Sequence, residues 1–141
     1  MIVTRSPLYS LLMILTLSLL TGCGKTSDGP ALETVMGSVT LDGEPLPDAS
    51  ILFKDPARKN KSYFASVKAG AYTTEMQVGQ WTVEITARRR SKDKMVDNAE
   101  GTGKELAMEQ YLPAEYNEKS TLEINVTPDG ENQFQFDLKS K

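Results

Sequence analysis

The sequence predicts an all-β domain, a seven-stranded antiparallel Greek-key sandwich, preceded by a short apolar helix at the amino terminus. Three observations predict it. Apolar residues recur every second position in seven short segments between residues 34 and 138, the period of strands with one buried face. Turn-forming residues punctuate those segments roughly every ten residues, the spacing of a sandwich. The single cysteine of the chain is Cys23, so no internal disulfide staples the domain and its core must rest on packing alone.

The first element is not part of that domain. Residues 1 to 22 carry one charged side chain, Arg5, followed by an apolar run from Leu8 to Leu20. This is the layout of a signal peptide, and the run is shorter than the roughly 20 residues that span a bilayer. It ends in Leu20-Thr21-Gly22-Cys23, which resembles the lipobox of bacterial lipoproteins. The resemblance implies cleavage before Cys23, a thioether-linked diacylglycerol on its sulfur and an acylated (commonly palmitoylated) new amino terminus. Two or more acyl chains hold a protein stably on a membrane, because each buried methylene contributes about 0.8 kcal/mol. The expected address is therefore the cell envelope, facing the periplasm or exterior. Gly24 stands where an aspartate marks inner-membrane retention in some bacteria, which favours the outer membrane.

Cleavage after Gly22 leaves 141 − 22 = 119 residues, the size of one domain. It removes only Arg5 among the charges, so the net charge moves from −3 to −4. An acidic chain argues against a nucleic-acid partner. The chain has no histidine, which excludes the usual serine and cysteine triads, most zinc sites and imidazole acid-base chemistry. No motif for a cofactor or a metal is present. Residues 23 to 33 then form the lipidated cysteine and a small, polar, Gly/Pro-containing tether, which leads into a domain spanning residues 34 to 141.

The strands follow in order. Val35, Gly37, Val39 and Leu41 alternate with polar neighbours in the first, and Asp42-Gly43 supplies its turn. Pro45 and Pro47 keep Glu44 to Asp48 extended and unpaired. Ala49, Ile51 and Phe53 mark the second strand, and Asp55-Pro56 opens a polar loop that runs to Lys61. Tyr63 to Lys68 is the third strand, turned by Ala69-Gly70-Ala71 into Tyr72 to Glu75, the fourth. Trp81, Val83, Ile85 and Ala87 give the clearest half-buried strand, expected to be central. Arg88 to Lys104 is highly charged, with glycine at positions 101 and 103, and reads as a mobile excursion. Lys104 to Tyr111 reads as a short helix, ended by Leu112-Pro113. Leu122, Ile124 and Val126 form the sixth strand, Pro128-Asp129-Gly130 a turn, and Phe134, Phe136 and Leu138 the last strand.

Gly37 to Phe53, with Gly79-Gln80-Trp81-Thr82-Val83-Glu84-Ile85 further on, resembles carboxypeptidase regulatory-like domains, whose fold is a transthyretin-like, immunoglobulin-like sandwich. Leu112 to Asn117, Ser120-Thr121-Leu122 and Phe134 to Leu138 are similar to the closing part of small lipoproteins of this type from planctomycete-like bacteria. Asp48, Val78 and Ala69-Gly70-Ala71-Tyr72 depart from the usual pattern at turns. The resemblance implies a fold and an exported location, and no reaction. The transthyretin-like hydrolases of purine catabolites depend on histidines that this chain lacks.

Candidate sites are few. Arg88, Arg89 and Arg90, followed by Lys92 and Lys94, form a basic cluster suited to anionic lipid headgroups or an acidic wall polymer, against which stands the reading of a solvated loop. Trp81, Tyr63 and Tyr72 could line a sugar-binding face, though alternation puts Trp81 in the core. Asp42, Asp48 and Asp55 lack the spacing of a calcium loop. The expected function is that of a non-catalytic module of the envelope, structural or docking another envelope protein; a carbohydrate-binding module for an envelope polysaccharide is the alternative, and a hydrolase using carboxylates alone is third.

Overall fold

The computed structural model describes residues 30–57 and 61–140. The apolar leader expected as a signal helix, the Leu20-Thr21-Gly22-Cys23 sequence and most of the tether lie outside the described residues. Within them the chain forms ten strands: β1 (Leu32–Leu41), β2 (Glu44–Pro45), β3 (Asp48–Lys54), β4 (Ser62–Lys68), β5 (Ala71–Gln77), β6 (Gly79–Thr86), β7 (Arg88–Asp97), β8 (Lys104–Gln110), β9 (Leu122–Val126) and β10 (Gln133–Leu138). The one helical segment among the described residues is a 3-10 turn at Ala114–Tyr116.

Seven strands pair along one path in the order β10-β1-β5-β4-β3-β6-β9, with β2 as a side rung on β1. Each of these seven contains one of the segments in which the sequence alternates. The fold is all-β and mostly antiparallel. One pairing departs from the antiparallel expectation, since β10 runs parallel to β1 from Met36↔Gln133 to Leu41↔Leu138. A second departure lies at Glu44-Pro45, which pairs with β1 instead of standing unpaired. Proline lacks an N–H to give, so it sits on this edge rung without loss. The rung carries Leu46 into the core, where it is buried and donates its N–H to the Val39 carbonyl at 3.0 Å. The first strand also starts at Leu32, two residues inside the expected tether.

Two hairpins have the turn chemistry their loops require. Asp42 and Gly43 both have positive φ, 54° and 90°, and so do Ala69 and Gly70, 49° and 80°. These are the two-residue loops whose twist matches paired strands. After the second loop, β4 and β5 part at once, since their ladder consists of Lys68↔Ala71 alone. The path folds over at that point, which gives the body its sandwich-like character: inward residues of β10-β1-β5 and of β4-β3-β6-β9 share one core. The Tyr72 ring of β5 lies 6.3 Å from Phe53 of β3 and 6.1 Å from Phe136 of β10. Trp81 is buried against the edge of Tyr63 at 5.0 Å, and its indole N–H reaches the Gln77 carbonyl at 3.0 Å.

The path has two poles. Leu32 pairs with Gln77 and Gly79 pairs with Val126, so the chain enters the body at the pole where β5 ends and β6 begins. Leu41, Leu138 and Lys68 lie at the other pole, which is also where β6 ends, because Thr86 pairs with Ser50 near the start of β3.

Gly37 is the tightest point of the body. It pairs with Tyr72 on one side and Phe134 on the other. A Cβ there would stand 1.8 Å from the Phe134 carbonyl oxygen and 3.0 Å from the Tyr72 hydroxyl. The carbonyl oxygen takes the space the missing side chain leaves, and the Tyr72 hydroxyl donates to it at 3.0 Å. Because the obstacle is backbone, Gly37→Ala forces β1 and β10 apart. It should lower unfolding free energy by about 3 kcal/mol, the upper end of the usual overpacking range. Urea denaturation followed by Trp81 fluorescence measures this; a loss below about 1 kcal/mol would show that the strands yield freely.

Candidate functional site

Arg88, Arg89 and Arg90 do not lie in a mobile excursion. They open β7, and the segment expected as a helix, Lys104 to Tyr111, supplies β8 as its antiparallel partner. Lys, Glu, Leu, Ala, Met and Gln all favour helix, but seven residues form a helix too short to persist alone, and a neighbouring strand offers a full ladder instead. β7 and β8 pair only with each other, so they form a two-stranded arm distinct from the seven-strand path. The arm is rooted at the pole opposite the entry of the chain. There the Tyr111 N–H donates to the Ala87 carbonyl at 3.2 Å, the Ala87 N–H donates to the Gln110 side chain at 2.9 Å, and Leu112 buries itself in the core.

The ladder has one large irregularity. Arg90 faces Met108 and Met95 faces Leu106, so the four residues from Ser91 to Lys94 bulge opposite Ala107. The Ser91 hydroxyl ties the bulge together, accepting from the Lys94 N–H at 3.2 Å and donating to Asp93 at 3.3 Å. Lys92 and Lys94 are exposed on it.

The three arginines part company on the arm. Arg89 pairs with Glu109 at 3.1 Å and lies 5.2 Å above the Tyr111 ring, so its charge is engaged within the arm. Both members of that pair are well exposed, and such a pair contributes less than about 1 kcal/mol. Arg88 and Arg90 point to the other face, opposite Gln110 and Met108, and make no ion pair among the described residues. Sequence reading found the cluster but not this division, which only the register of β7 on β8 creates.

The remaining sequence candidates are occupied by the fold. Trp81 and Tyr72 are buried, and Tyr63 packs against the core, so these three offer no shared face to a sugar. Burial pushes the Tyr72 phenol well above its ordinary pKa. Asp48 binds Lys68 at 2.7 Å, and Asp55 accepts the Ala57 N–H at 2.8 Å. Among the described residues no group of three or more acidic, cysteine or histidine side chains comes together. Asn125, which begins an Asn-Val-Thr sequence, lies within β9.

An open groove of 690 Å³ lies where β4 and β5 part, lined by Met36, Gly37, Ser38, Lys68, Ala71 and Gln135 among others. Small and amide side chains dominate it, and its one cation is held by Asp48. No carboxylate lines it, so it has no acid-base pair to offer.

The surroundings of Asp42 move its titration. The Ser140 hydroxyl donates to it, the Ser140 N–H donates to Oδ1 at 3.1 Å, and both hold its pKa below the ordinary value of 3.8. A lowered folded-state pKa stabilises the fold at pH values above the unfolded one. That contribution disappears as pH falls through the folded value, so the effect belongs to the acid limb below about pH 4. An NMR titration should place the Asp42 midpoint below 3.8, and Ser140→Ala should raise it only part of the way because the backbone donor survives. A full return to 3.8 would assign the effect to the hydroxyl alone.

No family model matches this sequence, and neither a curated protein nor a solved structure is significantly similar to it.

Proposed function

We propose that the chain is an exported lipoprotein, held on the envelope face of a bacterial membrane through lipid on Cys23, whose domain is a non-catalytic interaction or structural module. The observation that carries this reading is the Leu20-Thr21-Gly22-Cys23 sequence directly after a 13-residue apolar run from Leu8 to Leu20, with no other cysteine in the chain. The start of β1 at Leu32 fits it, since the folded body begins only nine residues after the anchor. By the same reading, the outer membrane is the favoured address.

The domain itself is read as a seven-stranded Greek-key sandwich of the carboxypeptidase regulatory-like kind. What supports this is the order of β1, β3, β4 and β5. The last three follow one another as a meander, and β5 lies beside β1, which a longer connection through β2 separates from β3. That order supports the Greek-key reading. The single rung between β4 and β5 supplies the place at which the path turns from one layer to the other.

The body supports a binding role more readily than a reaction. With no histidine in the chain, acid-base work would fall to carboxylates. A polysaccharide partner would have to be met by groups other than Trp81 and Tyr72, which are inside.

Intact-mass measurement of the exported protein tests the anchor. The mature chain should begin at Cys23 and carry a diacylglyceryl group, and Cys23→Ala should shift the protein out of the washed membrane fraction. An unmodified thiol or an intact leader in the exported form overturns the reading.

A further inference from the structure

We infer that the β7–β8 arm is a second membrane contact, which lays Met95, Leu106 and Met108 into the headgroup boundary of an anionic bilayer while Arg88 and Arg90 hold lipid phosphates. The inference rests on the lipoprotein reading for the identity of the surface, and on the arm's own geometry for the contact.

Directly opposed residues of an antiparallel pair share a face. The register therefore puts Arg88 with Gln110, Arg90 with Met108, and Met95 with Leu106 on one side of the arm. Met95 is 48% exposed and Met108 57%, and Leu106 is half-buried beside them. The unbranched, flexible side chains of Met95 and Met108 adapt to a fluid boundary better than to a rigid pocket. The two arginines next to them are those without an acidic partner among the described residues; the paired one, Arg89, is on the reverse side. Guanidinium groups match phosphate oxygens in a two-bond geometry, so free arginines beside an apolar strip suit a phospholipid surface.

Charge points the same way. From Arg88 to Asp97, the whole of β7, the chain carries five cations and two anions, while the whole chain is −3. An acidic body is repelled from an anionic membrane except where this strand faces it. The placement of the arm completes the case. The tether enters at one pole and the arm leaves from the other, so a body lying along the membrane presents both to the same plane. The eight residues between Cys23 and β1 reach at most about 30 Å, enough to allow that posture and short enough to keep the body close.

The test uses the mature, acylated full protein reconstituted on vesicles, with Met108→Cys as its labelling site, because the native cysteine is consumed by the thioether. A fluorophore at position 108 is read against quenchers carried on the lipid tails. Vesicles of phosphatidylcholine with phosphatidylglycerol should quench it. Neutral phosphatidylcholine vesicles should quench it at least about fivefold less, and Arg88→Glu with Arg90→Glu should remove the difference while circular dichroism stays unchanged. A protein that floats with both vesicle types yet keeps its label in water overturns the arm contact and leaves the anchor standing. A protein that floats only with anionic vesicles upholds the arm and overturns the anchor; one that floats with neither overturns both. Self-quenching that rises with protein density, without quenching by lipid, assigns the strip to a second copy of this chain and likewise overturns the proposal.

Discussion

The body depends on a vacancy. Gly37 carries no side chain at a point where β1 is flanked by β5 on one side and β10 on the other, and the Phe134 carbonyl of β10 stands in the space a Cβ would take, with the Tyr72 hydroxyl beside it. One hydroxyl thereby joins three strands, because it rises from β5, crosses β1 and donates to the backbone of β10. The parallel pairing of β1 with β10 has no hairpin to set its register, and this bond is one of the features that does so. Asn132 is another. It is buried, it exchanges two hydrogen bonds with the backbone of Thr127 to close the β9–β10 turn, and its carbonyl receives the Met36 N–H at 3.1 Å. A one-residue slip would turn Val35 and Val39 outward, so the register carries the core with it.

Pinning matters more here because the path is pinched. Between β4 and β5 only Lys68 and Ala71 remain paired, and the tight Ala69-Gly70 loop that joins them is stitched to the β1–β3 connection. The Val39 N–H donates to the Gly70 carbonyl, the Gly70 N–H to the Leu46 carbonyl and the Ala69 N–H to the Pro47 carbonyl. Ala69 holds a φ of 49°, which costs a residue with a Cβ about 1 kcal/mol. The stitching fixes the loop from outside, and the strain is tolerated because leaving the loop would break three bonds at once.

How much of this was legible follows from which faces are wet. Segments with one dry face, such as Trp81-Val83-Ile85 and Leu122-Ile124-Val126, alternate, and alternation is visible in a string of letters. The two-residue turns were also readable, since Asp-Gly and Ala-Gly name the residue that tolerates positive φ. The arm was not. Standing away from the core, β7 is exposed at every residue but Ser91, so charge replaces alternation and Arg88 to Asp97 looks like a loop. β8 is written in helix-forming residues and becomes a strand because β7 is beside it, a fact about pairing that no local window contains. The groove at the β4–β5 parting was likewise invisible, as it arises from how two strands separate.

The same wetness argues that the arm is there to meet something. A ribbon of two strands that buries little more than Ser91 and Ala107 is marginal in water, and this one adds exposed methionines and unpaired arginines to that weakness. Its root is secured by Leu112 in the core, by the Ala87–Tyr111 rung and by the Ser120 hydroxyl on the Val83 carbonyl. The tip is secured by little more than Asn98, whose side-chain oxygen accepts from Thr102 and Gly103, and by the exposed Asp97–Lys104 pair. A structure that invests its stability at the base and leaves its apolar strip bare gains nothing from the strip while it stays in water. A surface that covers Met95 and Met108 and neutralises Arg88 and Arg90 removes both liabilities in one contact. Under the proposed anchoring through Cys23, the pole from which the arm projects, opposite the start of β1, becomes a matter of leverage: two attachments at the ends of a rigid body would orient it, where one attachment would only retain it.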